Sequence, residues 1–390
     1  MTAPPLAARL ARVKGERLYA RDHRARDMGW PDAMLHAVLL RATRVDAPFT
    51  GLDLAALRGA PGLWWPPVTA ADLARDKVEN PSRDKGYIPG VNKRNSFGRM
   101  LVPAGERAEM YGQPVALVFF DHVRQVADFV ESGLFSSAVG YGAPVPDPGP
   151  EPAPYASYHL IRYPGRGTGD DRFSYVLKGD HDPTAIGPDV PPEKRAVNLL
   201  ALEARRRIER DIARHADAPG ARRPEWSCLD LTFHTPSSDP MFMEPEAGIG
   251  WWEEVTRTLH LVLATQSPFK DVSNVKALCA APDGAFKDLK VDLQTCPPGG
   301  GFGGRDESSF PLYLALAALY ARGRPVRLAY DRFEQFLTGI KRHASVVRNR
   351  LFFTASGDLQ ALQSEITMDG GGEANLTAPV LQLASLQAAG

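Results

Sequence analysis

A run of five glycines around one phenylalanine, GGGFGG at residues 299–304, is the stretch of this chain best suited to chemistry. Each glycine costs roughly 0.5–1 kcal/mol relative to alanine in a regular element, so several together indicate a special role. Glycines expose backbone N–H groups with no side chain in the way, and a helix N-terminus adds partial positive charge. A helical sequence follows, with Ser308 or Ser309 at its cap and Gly323 at its end. The arrangement favours a phosphate or another bulky anionic cofactor lying against the backbone.

The glycine run differs from the familiar nucleotide-binding loops. A P-loop requires Lys followed by Ser or Thr after its last glycine, and Arg305 and Asp306 stand there instead. A dinucleotide loop follows directly on a strand, whereas Pro297 and Pro298 interrupt the strand ahead of this run. Two other interpretations stay open, namely a turn where two backbones pass closely and a nucleotide-binding protein that uses GGGFGG alone.

Composition and charge exclude several classes of protein. Lys+Arg 46 balances Asp+Glu 46, so no overall field attracts nucleic acid. The chain has no apolar run of about 20 residues that would predict a membrane span, and its N-terminus lacks the apolar core of a secretory signal. Cys228, Cys279 and Cys296 form no CxxC pair, so they predict neither a zinc site nor an iron–sulfur cluster on this chain. We expect a cytoplasmic protein with reduced thiols that binds no nucleic acid.

The elements that must position the glycine run are strands and helices in irregular alternation. Residues 36–42 and 113–120 are short apolar runs typical of buried strands. Apolar residues recur every three or four positions between Val197 and Ile212, which predicts an amphipathic helix with a solvated outer face. Residues 348–366 predict a β-hairpin. Because no regular βαβ rhythm is present, we predict the α+β class.

A proline- and glycine-rich stretch at residues 141–157 divides the chain. At this density prolines and glycines hold neither a helix nor a central strand, so we predict an extended linker between two domains. A long surface loop inside one domain is the alternative. The predicted domains cover residues 12–140 and 158–390.

Taken with its neighbours, the glycine run resembles the molybdopterin-binding subunit of the molybdenum hydroxylases, the xanthine dehydrogenase and aldehyde oxidase family. Residues 12–22, RVKGERLYARD, look like the opening signature of the family's α/β-hammerhead domain. The other matching pieces run in the family's order: DAMLHAVLLRA, PGLWWPPVTAADL, YGQPVALV, DPMFMEPEAGIGWW, LHLVLATQSPF, GGGFGGRD, GRPVRLAYDR, GIKRHA and DGGGEAN. The resemblance implies a hammerhead domain over residues 12–140 and the first molybdopterin-binding half-domain over residues 158–390.

The resemblance also implies how the glycine run would meet a molybdenum cofactor. Gln266, at the end of a strand, would hydrogen-bond to an oxo or hydroxo ligand of the metal. The backbone N–H groups of Phe302 and Gly303 would contact the cofactor, with Gly301 in the same loop. The pterin's sulfurs would hold the metal, so no side chain is expected as a direct metal ligand. For Gln266 taken alone, a turn residue whose amide caps the backbone is an equal alternative.

Three further polar positions have more than one interpretation. Asp306 falls where the family often has an acidic residue near the substrate, although we favour a carboxylate at a helix start, facing the helix dipole. Glu244 is interpreted as ordering a buried turn. Arg342 and His343 are interpreted as structural, since a lone histidine is more often a satisfied core residue than a ligand or base.

The family's second molybdopterin-binding half-domain has no counterpart in this sequence. That half would carry another glycine-rich loop and the glutamate that acts as general base, so the catalytic base is unknown here. Leu383 stands where the family often has an arginine. Val380, Leu381, Leu383 and Leu386 form an apolar stretch that would suit a partner surface. We expect a split subunit completed by a second polypeptide, or a truncated product.

The activity that the resemblance implies is hydroxylation of a small-molecule substrate, an aldehyde or an N-heterocycle, at a molybdenum cofactor. Electrons would leave through iron–sulfur clusters and FAD. Neither group has a binding motif in this sequence, so partner subunits would carry both. The alternative is a non-catalytic chain of the same fold, either a truncated remnant or an assembly scaffold.

Overall fold

The computed structural model describes residues 19–78, 99–146, 155–163, 171–178, 188, 191–216, 225–371 and 376–387. Three sequence features lie partly outside the described residues: the hammerhead signature (12–18), the linker (147–154) and the DGGGEAN piece (372–375). The side chain of Leu386 is also outside the description.

The described chain alternates strands and helices after a short 3-10 helix at Ala25–Met28. In chain order the elements are β1 (Leu35–Arg41), β2 (Phe49–Leu52), α1 (Leu54–Arg58), β3 (Leu63–Thr69), α2 (Ala70–Asp76), β4 (Pro114–Phe120), α3 (Val123–Glu131), α4 (Leu134–Ser137), β5 (Val139–Tyr141), β6 (Tyr155–Arg162), β7 (Asp171–Lys178), α5 (Pro192–His215), β8 (Ser227–Thr235), β9 (Ala247–Glu253), β10 (Thr258–Leu263), α6 (Pro268–Leu278), β11 (Lys290–Thr295), α7 (Phe310–Tyr320), β12 (Val326–Ala329), α8 (Arg332–Thr338), β13 (Ser345–Phe353), β14 (Leu359–Met368) and α9 (Thr377–Gln387).

These elements divide between two compact units. Unit 1 contains β1–β5 and β9–β12 with their helices, and unit 2 contains β6–β8, β13, β14, α5 and α9. A boundary between the units, at Asp147 and Pro148, falls inside the predicted linker, but residues 239–341 of the second predicted domain belong to unit 1. The reason is strand pairing, because β12 runs parallel to β1 with Val326 opposite Leu35. The mixed α+β class is confirmed, while the hammerhead assignment stays a prediction.

Unit 1 is built on a seven-stranded sheet with the order β11-β10-β9-β12-β1-β4-β3. Helix α7 packs against β9, β10 and β12, and its residues from Phe310 to Leu319 are all buried. The helix is apolar all round, as expected of a fully buried helix. It lies close to β9, since a Cβ added at Gly248 would stand 2.5 Å from a methyl carbon of Leu314. Close helix–sheet packing thus fixes the start of α7, where the glycine run arrives.

Unit 2 is an antiparallel five-stranded sheet with the order β7-β6-β14-β13-β8. Helix α5 packs Ile208 and Ile212 against one face of this sheet. Helix α9 places Leu381 in a cluster on the other face. Val380 and Leu383, on the same helix, are 38% and 55% exposed. Leu381 of the apolar stretch is therefore buried within unit 2, whereas Val380 and Leu383 are exposed.

Most elements predicted from local pattern are present. The two buried strands correspond to β1 and β4, the amphipathic helix to α5, and the hairpin to β13 and β14, with Gly357 in its turn. In the described part of the chain, no helix combines the length and apolar character needed to cross a membrane.

Candidate functional site

The glycine run and Gln266 meet at one edge of the seven-stranded sheet. Gln266 follows β10, and the run follows β11. These two strands are parallel neighbours, with Leu263 opposite Thr295 at their ends. The carboxyl ends of parallel neighbours lie at the same sheet edge, so the chain leaving each strand emerges side by side, a common place for ligands in α/β sheets. Strand pairing therefore brings together two segments that are far apart in sequence.

Gln266 is bound to the glycine run by one hydrogen bond and to the following residue, Arg305, by two. Its Oε1 accepts from the N–H of Gly303 at 3.0 Å and from the N–H of Arg305 at 3.2 Å. Its own backbone N–H donates to the carbonyl of Arg305 at 3.3 Å. Because both partners of the side chain are donors, the amide orientation is defined, with oxygen toward the loop. The amide nitrogen has no partner among the described residues and is left as a neutral donor.

Three successive backbone N–H groups beside Gln266 have no hydrogen-bond partner within the described part of the chain. They belong to Gly300, Gly301 and Phe302. The backbone here includes left-handed φ angles of 104° at Gly300 and 51° at Phe302. The Phe302 side chain is 63% exposed, so this segment reaches the surface. Successive N–H groups in alternating backbone conformations form concave sites that suit anions.

The N–H of Gly303 is used differently from the prediction drawn from the resemblance. It donates to Gln266 Oε1 in this structure, whereas the N–H of Phe302 is unpaired among the described residues. A contact between the cofactor and the Gly303 N–H therefore stays a prediction that competes with a bond already present.

Tight packing explains why several positions of the run are glycine. A Cβ at Gly301 would lie 2.5 Å from Gln266 Oε1, and a Cβ at Gly299 would lie 2.5 Å from the Cβ of Glu244. Real Cβ atoms essentially never approach so closely. Gly303 is different, since its added Cβ would meet nothing within 4 Å, and its φ of 89° is what favours glycine. The run is thus a close approach of segments, in which Gly301 is buried and Phe302 and Gly303 are exposed.

Behind the loop lies a buried ionic cluster that sequence reasoning missed. Arg305 is 1% exposed and stacks over the ring of Phe242 at 4.7 Å. Its guanidinium lies 3.3 Å from Glu244 Oε2 and 3.6 Å from Glu246 Oε2. It also donates to the backbone carbonyls of Ala264 and Glu244. The available signal was a basic residue at the end of the glycine run and a second glutamate in MEPE.

Burial controls the protonation of this cluster. Desolvation raises the pKa of Glu246 to about 7, against the lowering effects of Arg305 and of the Ser308 hydroxyl. Ser308 donates to Glu246 Oε1 at 3.2 Å. A buried carboxyl with this pKa is partly protonated near neutral pH, which lessens the negative charge beneath the loop.

A second pair of carboxylates flanks Gln266. Asp306 accepts a hydrogen bond from the Ser267 hydroxyl, and Asp271 accepts one from Thr265. Burial raises the pKa of Asp271 to about 7. Asp306 therefore lies next to Gln266 in space, four residues ahead of α7, so its position is compatible with either predicted role.

The remaining predicted residues have structural contacts. Glu244 accepts from the N–H of Gly299 at 2.8 Å, so it contacts the first glycine of the run, and its predicted role in ordering a turn stays a prediction. His343 Nε2 lies 2.8 Å from the hydroxyl of Thr377, and burial lowers its pKa. Cys279 and Cys296 are buried free thiols, and burial raises their pKa values to about 12 and about 11. None of these groups is placed for chemistry at the loop.

The residues present fit an anionic cofactor that carries its own metal. Three N–H groups and the amide nitrogen of Gln266, all without a partner within the described chain, lie in two segments that contact each other. Phe302 adds an exposed apolar ring beside them. A Cβ at Gly301 would displace Gln266, so the cradle depends on glycine. Neutral donors and shape are what such a cofactor requires of the protein.

Comparison with known proteins shows that the segment containing this site is similar to a known domain. Residues 213–390 match the family model of the molybdopterin cofactor-binding domain. The nicotinate dehydrogenase large molybdopterin subunit of Eubacterium barkeri is 30% identical over 162 residues, 42% of this chain and 36% of the relative. A probable xanthine dehydrogenase subunit of Bacillus subtilis is 32% identical over 162 residues, 42% of this chain and 21% of the relative.

A solved structure shares the fold over most of the chain. The aldehyde oxidoreductase of Desulfovibrio desulfuricans ATCC 27774 matches with a TM-score of 0.61 at 15% identity, covering 91% of this chain and 33% of that one. The likeness at this identity concerns the fold alone. Residues 213–390 thus match a molybdopterin cofactor-binding domain, and the chain is similar to part of the large subunits of xanthine dehydrogenase and aldehyde oxidoreductase type. Its matches span about a third or less of the length of these proteins.

Proposed function

We propose that this chain is one part of a molybdenum hydroxylase and that its glycine loop holds one side of the molybdenum cofactor. The single observation that carries the proposal is the group of three unpaired N–H donors beside the unpaired Gln266 amide, within the described residues. They lie inside the segment that matches the molybdopterin cofactor-binding domain. When bound, the cofactor supplies the two-electron oxidation of a carbon centre.

The chain's own residues have binding and orienting roles in this proposal. The amide nitrogen of Gln266 donates toward the metal's oxygen ligands, and its orientation is held by the bonds at Oε1. The N–H of Phe302 donates to the cofactor, while Gly301 keeps the approach free of side-chain atoms. Asp306, bound to Ser267 next to Gln266, is our candidate for a residue near the substrate.

The substrate class we propose is an aldehyde or an N-heterocycle. Relatives and similar structures carry names that include nicotinate, xanthine, quinoline and aldehyde, which are compounds of these two kinds. We further propose that a second molybdopterin-binding half, an iron–sulfur subunit and an FAD subunit complete the enzyme. The general base would come from that second half. Two of the relatives are themselves named as subunits.

The test measures molybdenum bound by the chain when it is purified together with the polypeptides encoded beside its gene. Gly301→Val should lower the molybdenum content at least tenfold, because its side chain would collide with Gln266. Gly303→Val should also lower it, through strain at a φ of 89°.

Gly357→Val in the β13–β14 turn is the matched control for Gly303→Val. Gly357 also has a positive φ, 87°, and open space around its added Cβ. This control should retain wild-type molybdenum. Metal-free wild-type complexes that contain every partner would contradict the enzyme and support a scaffold or a remnant. Unchanged metal in both loop variants would show that the loop is only a turn.

A further inference from the structure

Arg305 links the glycine loop to the two strand segments on which it rests. Its backbone N–H donates to Gln266 Oε1, and its carbonyl accepts from the Gln266 N–H. The two residues, 39 positions apart, therefore form a reciprocal pair of hydrogen bonds. The Arg305 backbone, together with the N–H of Gly303 at Oε1, thereby fixes both the backbone and the side-chain oxygen of Gln266.

The guanidinium of Arg305 holds this pair of hydrogen bonds in place through contacts with the chain ahead of Gln266 and with Glu244. One nitrogen donates to the carbonyl of Ala264, two residues before Gln266, at 3.3 Å. Another donates to the carbonyl of Glu244 and lies 3.3 Å from its carboxylate, which in turn accepts from the N–H of Gly299. The contacts of one side chain therefore reach both ends of the loop and the chain that carries Gln266. A planar guanidinium with five donors suits such a junction better than an ammonium group.

We propose that Arg305 is a positioning residue, which holds the Gln266 amide and the unpaired loop N–H groups in the arrangement that receives the cofactor. This rests on the proposed function for the identity of the ligand, but the arrangement itself is a property of the chain without cofactor. The positive charge also compensates Glu244 and Glu246, whose carboxylates would otherwise lie unscreened beneath a site for an anion.

The experiment compares Arg305→Met with Arg41→Met in the full chain without cofactor. Arg41 is the matched control, because it is also 1% exposed, also pairs with a glutamate and also lies in unit 1. Peptide-resolved hydrogen–deuterium exchange is followed over residues 299–305. Arg305→Met should accelerate exchange there at least tenfold at fixed temperature, whereas Arg41→Met should change it less than twofold. Equal acceleration in both variants would show a general structural role and overturn the proposal.

Arg305→Lys keeps the experiment decisive if the Met variant does not fold. Lysine retains the charge but not the fork of donors, so exchange over residues 299–305 should accelerate about threefold to tenfold. In the double variant with Gln266→Ala, the acceleration of exchange should be smaller than the product of the accelerations in the two single variants, because both substitutions act through the same hydrogen bonds. Multiplicative effects, or wild-type exchange in Arg305→Lys, would refute positioning through Gln266.

Molybdenum content of the complex with partner polypeptides gives the second readout. Arg305→Met or Arg305→Lys should lower it at least fivefold, and Arg41→Met should leave it within twofold of wild type. If wild-type complexes contain no molybdenum, the proposed function fails, while the exchange results still decide the role of Arg305. If wild type binds molybdenum and the Arg305 variants bind as much, the positioning role fails and the proposed function stands.

Discussion

Two buried arginines in unit 1 have different surroundings. Arg41, at the end of β1, lies 3.4 Å from Glu334, donates to the carbonyl of Gly112 and stacks over Tyr330 at 4.9 Å. Glu334 keeps 21% exposure of its side chain and has another partner, the N–H of Asp331 at 3.2 Å. Arg41 thus joins parts of the fold around a carboxylate that water still reaches.

Arg305 compensates two carboxylates, both less exposed to water than that of Glu334. The side chains of Glu244 and Glu246 are 13% and 3% exposed. Breaking a buried pair is costly because it leaves an uncompensated charge, whereas the intact pair contributes little net stability. The comparison teaches that burial of the arginine alone says little about its role. What distinguishes Arg305 is that it faces two carboxylates, of which Glu246 is buried, and that its backbone adjoins the glycine loop.

The largest expected effect is the loss of stability when the positive charge of Arg305 or of Arg41 is removed. At pH 8, Arg305→Met should lower the free energy of unfolding by about 3–5 kcal/mol, because Glu244 and Glu246 lose their cation. Arg41→Met should cost about 1–3 kcal/mol, since Glu334 keeps water and the Asp331 N–H. Urea unfolding of the full chain gives both values. An Arg41→Met loss as large as that of Arg305→Met would remove the distinction between the two sites.

The pH dependence of stability sharpens the comparison at the Arg305 cluster. The raised pKa of Glu246, about 7, means that the folded state holds this proton more tightly than the unfolded state, where the value is near 4.5. Its contribution to stability is full below the unfolded pKa and is lost as pH rises toward 7. The melting temperature of Glu246→Gln should therefore rise relative to that of the wild type between about pH 4.5 and pH 7.

Asp271 keeps part of the fall in stability with rising pH in the Glu246→Gln variant. Burial raises its pKa to about 7 as well, with the same sign of effect on stability. Burial also lowers the pKa of His36 to about 4, and its effect on stability has the opposite sign. The quantity to compare is therefore the difference in melting temperature between variant and wild type, measured by calorimetry at half-unit steps of pH. Parallel profiles for variant and wild type would contradict a buried, proton-holding Glu246.

The smallest expected effect is at an exposed arginine of unit 2. Arg348 on β13 lies 2.8 Å from Asp230 on β8, and their side chains are 51% and 41% exposed. Exposed ion pairs contribute little to stability because water and salt screen them. Arg348→Met should leave the urea midpoint of unfolding unchanged within experimental error. A clear loss would mean that short distance, rather than burial, determines the cost of removing an arginine in this protein.

The local pattern of residues was sufficient to predict much of the fold. Strands β1 and β4, helix α5 and the β13–β14 hairpin follow from apolar spacing and turn residues, which act over a few positions. The glycine run and Gln266 were also recognisable as candidate site residues. Glycine allows close approach to the backbone, and an amide at the end of a strand is a fixed neutral donor. A boundary between the compact units falls inside the predicted linker at residues 141–157, but local pattern could not show that residues 239–341 return to unit 1. That return depends on the pairing of β1 with β12, which joins residues almost 300 positions apart, as Leu35 and Val326 show.

The sequence by itself showed that the glycines of residues 299–304 have backbone N–H groups with no side chain in the way, and that Gln266 follows a strand as a candidate amide donor. Only the tertiary structure decided that Gln266 turns its oxygen to Gly303 and Arg305, that Gly300, Gly301 and Phe302 form the unpaired donors among the described residues, and that Arg305 sits over Glu244 and Glu246. The physical reason is distance along the chain. These contacts are made by the ends of β10 and β11 and by the chain entering β9, which only the sheet brings together.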